Sequence, residues 1–276
     1  MIRKKVVISS VIAMVLGGWS SAWAQCSAEI SGTDNDFRTV QATINALQCD
    51  DPELLLHAGT QIVNLDDDYF LGLSPAGNHR SLKISALEGK ERPFLMNLSQ
   101  SLRQGVIVAN GKQLVVEGVD AYNFTNLPSS AAISISNVGD DTLSRLDNVI
   151  AVGEAGVTVN NTDGMVLIRN SSLYGTGQYS ILGGAINTFN SSSIIVEGSY
   201  LEGASGGAAA TFRRGSVAEI SANSYLVAAD APESYGIRIE QETVVTASDS
   251  VVVARDGQFV SNDGTYNESN MTYVPY

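Results

Sequence analysis

Basic residues are scarce in this sequence: 16 Lys and Arg stand against 29 Asp and Glu, for a formal net charge of −13. That shortage argues against nucleic acid and anionic membrane surfaces as partners, because both require a basic footprint. Histidine is limited to His57 and His79, and neither stands at ligand spacing to the two cysteines, Cys26 and Cys49, so a zinc centre is not expected. There are only six prolines, no low-complexity linker and, after the first 50 residues, no sustained helical periodicity. A single domain rich in short strands is the economical reading.

The longest apolar run lies at the start. Arg3, Lys4 and Lys5 precede the mostly apolar stretch Val6 to Gly18, and Ala22-Trp23-Ala24 supplies small residues for a signal peptidase. The run is shorter than the roughly 20 apolar residues of a membrane span. Residues 1–24 therefore read as a signal peptide, with Gln25 as the new N-terminus and the periplasm or the exterior as destination. No membrane insertion is expected after cleavage. Trp23-Ala24-Gln25 before Cys26 is a poor lipoprotein box. In an oxidising compartment an isolated cysteine pair is most simply a disulfide, with two buried free thiols as the alternative.

What the chain does have is a repeat. Gly198-Ser199-Tyr200-Leu201 returns as Asn223-Ser224-Tyr225-Leu226, and the same template fits Asn170-Ser171-Ser172-Leu173 and Asp249-Ser250-Val251-Val252. Gly118-Val119-Asp120-Ala121 and Asn148-Val149-Ile150-Ala151 are looser copies. A variable period of this size, built from short strands and turns at Gly, Asn or Asp, marks a solenoid. Like residues of successive coils then lie about 4.8 Å apart. The serines should form a ladder, the Leu or Val after each turn should fill the interior, and Tyr200 and Tyr225 should point outward and stack. Ile220 is out of inward register with Val196 when the turns are aligned, which suggests a bulge there.

Near the start, Asp36-Phe-Arg-Thr-Val-Gln-Ala-Thr-Ile-Asn-Ala46 resembles the Phe-x-Thr-Val-Gln-x-Ala-Ile-Asn segment that opens many right-handed parallel β-helix proteins of the pectate-lyase-like superfamily. Phe37, Val40, Ile44 and Leu47 mark one face of a short helix. The resemblance implies that this helix caps the solenoid, with Cys26 and Cys49 bracketing it. The expected layout is a cap over 25–53, eight or nine coils over 54–260, and a polar tail over 261–276 covering the far end.

Relatives of this fold cleave acidic polysaccharides, hydrolyse glycosides or have no catalysis. Asn161-Thr162-Asp163-Gly164 resembles a polygalacturonase motif, but one coil later Gly183-Gly-Ala-Ile-Asn187 stands where an Asp pair is needed, and no histidine follows His79. A lyase requires a base together with Ca²⁺ or cationic side chains against a uronate carboxylate. Arg213, Arg214 and Arg238 are candidates for that clamp, alongside the bland reading that they pair with Glu240 and Glu242. Asp66-Asp67-Asp68 is a candidate calcium turn, otherwise a solvated one. A binding module asks less: Tyr174, Tyr200 and Tyr225 could offer rings to sugars. The expectation is a non-catalytic exported protein that binds an extended polysaccharide or cell-surface glycan. A polysaccharide lyase and a structural or adhesive surface protein are the alternatives, with no cofactor expected unless Ca²⁺ serves a lyase.

Overall fold

Strands of three to six residues alternate with turns that Asn, Gly and Asp make at low steric cost, so the chain winds instead of forming hairpins. The computed structural model describes residues 26–66, 72–99, 105–125, 130–177, 183–204, 207–255 and 258–276. Residues 1–24, expected as a signal peptide, and Asp67 and Asp68 of the expected acidic turn lie outside these. The described chain is a parallel β-solenoid of about eight coils with three sheets: ten-stranded sheet A, nine-stranded sheet B and seven-stranded sheet C. A typical coil runs through Met165–Arg169 in sheet A, Ser172–Gly175 in sheet B and Ile186–Phe189 in sheet C. All strand pairings between coils are parallel, for example Val166 with Ile194 and Leu173 with Leu201.

Alternation sends every second residue inward. Leu173, Leu201, Leu226 and Val252 follow one another in sheet B, fully buried, as the turn template predicts. Fully burying each such side chain is worth roughly 2 kcal/mol.

The turn from sheet A to sheet B repeats one backbone device. Asn148, Asn170, Gly198, Asn223, Asp249 and Asn270 all hold positive φ, between 46° and 62°, a region that Asn, Asp and Gly tolerate best. Behind them the serines form the predicted ladder. The Ser199 hydroxyl donates to Glu197 O in its own turn (2.8 Å) and accepts from the N–H of Ser171 one coil away (3.2 Å). Ser224 does the same for Ser221 O and the Ser199 N–H.

Val196 and Ile220 prove to be in register, so no strand bulge is needed. The extra residue lies in the turn instead: Ala222 and Asn223 both take positive φ where other coils use one such residue. The Ser224 hydroxyl accordingly reaches back three residues rather than two.

The helix is Phe37–Ala46, with Phe37, Val40 and Ile44 buried against the first coils. Asp36 caps it, accepting from the Thr39 N–H at 2.8 Å. Buried His79 ties down its end: Nδ1 accepts from the Ala76 N–H, which leaves Nε2 as the donor to Leu47 O. Cys26 and Cys49 form a disulfide across the helix, with Cα atoms 6.3 Å apart.

At the other end, Val260–Asn262, Thr265–Ser269 and Thr272–Pro275 extend sheets C, A and B. The segment expected as a tail is therefore the last coil itself. Tyr266, Glu268 and Tyr273 follow buried Val245, Ala247 and Val252 in register, and the two phenols hydrogen-bond each other while Tyr273 donates to Glu268. Burial pushes the Tyr266 phenol up to about 12.

Candidate functional site

The outer face of sheet B is unusually apolar. In one register column Met96, Tyr122, Val152 and Tyr174 follow one another, and beyond Glu202 the column continues as Val227, Val253 and Val274. The column beside it carries Phe94, Ile150, Tyr200, Tyr225 and Val251, with Asp120 and Ser172 interposed on either side of Ile150. Phe124 and Tyr225 are each 46% exposed.

The rings form local groups. Phe94 meets Tyr122 edge-on at 6.2 Å, and Tyr122 lies parallel to Phe124, with centroids 6.1 Å apart and planes 11° apart. Tyr174 and Tyr200 are 5.7 Å apart and tilted. The three tyrosines do not form a single column: Tyr200 is in register with Tyr225, whereas Tyr174 is in register with Glu202 and reaches Tyr200 diagonally. Among the described residues Tyr225 makes no ring contact, so the expected Tyr200–Tyr225 stack is a shared register without ring contact.

The two carboxylates on this face are both engaged. Asp120 accepts from Arg92 at 2.7 Å, yet burial outweighs that cation and raises its pKa. Glu202 accepts from the Tyr200 hydroxyl at 2.8 Å, and burial followed by that bond raises the phenol's pKa well above its ordinary value.

This face is held in register by a device that the template did not reveal. Asn64, Asn97 and Asn123 end successive sheet B strands and point into the solenoid, where Asn64 Nδ2 donates to Asn97 Oδ1 and Asn97 Nδ2 to Asn123 Oδ1, both at 2.9 Å. Their shared place at the end of four-residue strands (QIVN, FLMN, DAYN) was the available signal. From the next coil Gly153 and Gly175 take over. At Gly153 the link to sheet C is so short that a Cβ would lie 2.7 Å from Ala155 O.

The arginines are elsewhere, at the corner from sheet C to sheet A. Arg214, Arg238, Glu240, Gln241, Glu242 and Asp263 line a cleft of about 380 Å³. Arg213 sits behind it, 6% exposed, paired with Glu240 at 3.2 Å and with its guanidinium 5.1 Å from the centre of the Phe189 ring. Its pKa is lowered by burial, which outweighs the opposing carboxylate of Glu240, with smaller lowering contributions from Arg238 and Arg214. The structure therefore gathers the three arginines, and separates them from the tyrosines.

Asn161 and Asp163 are turn residues. Asn161 has φ 49° and donates through Nδ2 to Asn137 Oδ1, and Asp163 is exposed. Asp66 pairs with Arg38 at 2.6 Å. Among the described residues no three His, Cys, Asp or Glu side chains gather as a metal site, and no helix is long and apolar enough to cross a membrane. Set beside known proteins, the chain matches no family model and no curated sequence, so what stands is its parallel β-solenoid with a helix at one end.

Proposed function

We propose that this is an exported, non-catalytic β-solenoid of the pectate-lyase-like kind that holds an extended polysaccharide along the outer face of sheet B. The observation that carries the reading is the apolar and aromatic surface running from coil to coil on that face, in a chain that is acidic overall. Contiguous exposed apolar surface of this kind marks an interaction site. Parallel and tilted rings offer flat C–H-accepting surfaces to sugars, and a straight stack of coils offers them over a long span. Asp120 and Glu202 are engaged by Arg92 and Tyr200, which supports a binding role over a catalytic one. The Cys26–Cys49 disulfide supports an oxidising compartment.

Affinity electrophoresis through gels containing neutral or uronate-bearing polysaccharides tests this reading. At least one glycan should retard the protein, and Tyr225→Ala and Phe124→Ala should weaken retardation about tenfold, which corresponds to about 1.4 kcal/mol. Their thermal midpoints should stay close to wild type. Free migration on every gel would sink the proposal, and so would release of unsaturated uronate from any of them.

A further inference from the structure

The described residues include nine arginines, and seven of them are ion-paired. Arg38 pairs with Asp66, Arg80 with Asp50 and Asp51, Arg92 with Asp120, and Arg145 with Glu117. Arg169 pairs with Asp147, Arg213 with Glu240 and Arg255 with Asp230. In a chain with so many surplus carboxylates this is the expected outcome. The two exceptions are Arg214 and Arg238, which have no carboxylate within 4.0 Å among the described residues. They are neighbours on the same cleft.

The backbone adds a second, independent observation. Arg214 holds φ 48°, at the corner where earlier coils place Asn137, Asn161 and Asn190 at φ 53°, 49° and 47°. Asparagine tolerates that conformation, and a long side chain without a local hydrogen bond to offer does not gain from it. A strained residue that breaks the rule of its own column marks a place where the side chain has a use. Arg213, buried against Phe189, is itself paired with Glu240 and so takes up one of the carboxylates that line the cleft.

We infer that Arg214 and Arg238 form a binding site for one oxyanion group, a carboxylate or a sulfate ester, on an otherwise uncharged ligand. Guanidinium presents a planar fork of donors that matches such groups. Glu242 and Asp263, with the Arg213-paired Glu240, line the same cleft and oppose a run of negative charges, which restricts the ligand to an isolated one. The site lies at the corner between sheets C and A, so it stands apart from the apolar face of sheet B and does not depend on the function proposed for that face.

Titration calorimetry with sodium glucuronate, methyl sulfate, inorganic phosphate and glucose tests the inference. Glucuronate or methyl sulfate should bind, glucose should not, and dianionic phosphate should bind more weakly; the stronger of the first two identifies the source of the anion. Arg238→Gln should weaken binding at least tenfold. Arg214→Asn is the decisive variant, because it restores the residue the turn prefers: it should unfold at the same or a higher temperature than wild type and lose the anion. Retention of sheet B ligands by Arg214→Asn would show that the two sites are separate. Absence of anion binding by the wild type, or unchanged binding by both variants, would overturn the inference.

Discussion

The hydroxyl of Ser199 accepts from the N–H of Ser171 across one coil while donating to Glu197 O within its own turn. A single hydroxyl thus closes a turn and joins two coils, at a site only 2% exposed. The repeated serine is explained by this double role, which neither alanine nor a larger residue can fill.

Ser199→Ala should therefore destabilise the protein by about 2 kcal/mol, since it strands the buried Ser171 N–H, while Glu197 O keeps the Asn170 N–H. Urea unfolding followed by circular dichroism measures this. A loss within experimental error of zero would mean that water replaces the hydroxyl.

Asn97 sits in the middle of the internal amide ladder, so Asn97→Leu should cost more than a substitution at either end. Asn64 Nδ2 loses its acceptor, the Ser99 N–H loses the Asn97 oxygen, and Asn123 Oδ1 loses the nearer of its two donors. At about 1–3 kcal/mol for each stranded group, the total is roughly 4 kcal/mol. Equal losses for Asn64→Leu and Asn97→Leu would show that the ladder is not continuous.

Glu154 forms the shortest link between sheets B and C. It is 4% exposed, and its Oε1 has no hydrogen-bond partner among the described residues. Burial raises its pKa above the ordinary 4.5, with no opposing cation. A carboxyl with a raised folded-state pKa stabilises the fold fully below its unfolded value, and that contribution fades as pH rises through the folded value. Glu154→Gln should match wild type at about pH 4 and exceed it at about pH 7. Urea midpoints across this range check the sign; a gap that does not change with pH would show an ordinary carboxyl.

The Cys26–Cys49 bridge closes a separation of 23 residues around the capping helix. Cys49→Ser should cost about 3 kcal/mol in the chain-entropy account. Hydrogen exchange should localise the change to Phe37–Ala46 and Ser27–Ile30. Uniform loss of protection along all coils would contradict a local staple.

The solenoid and its serine ladder were legible because Ser171, Ser199 and Ser224 each follow a turn residue and precede an inward leucine. Local chemistry there dictates identity, so the signal survives in the sequence. The amide ladder was harder to read, because Asn64, Asn97 and Asn123 share only a strand end followed by an apolar residue, and their separations of 33 and 26 differ. The last coil was misread as a tail because Tyr266, Glu268 and Tyr273 occupy inward positions that normally hold aliphatics. Arg214 and Arg238 looked like strand-end charges, and only the stacking of adjacent coils puts them on one cleft. On the sheet B face Tyr174, Tyr200 and Tyr225 were legible from the repeat, but Phe94, Met96 and Tyr122 were not, because apolar residues on both sides of a strand erase its alternation.

Strand residues that face each other in adjacent coils are as little as 21 (Val244 and Thr265) and as much as 33 (Gln61 and Phe94) residues apart, yet the strands stay in register throughout. The difference is absorbed entirely in the links between sheets. Met165 and Ser193 hold equivalent positions, so excising residues 165–192 would join Gly164 to Ser193 with every later strand facing its correct neighbour. Length in this architecture is thus editable in whole-coil units: a gene that gains or drops one such segment yields a longer or shorter rod with the same two ends, and the reach of its side along a partner changes in steps of about 4.8 Å.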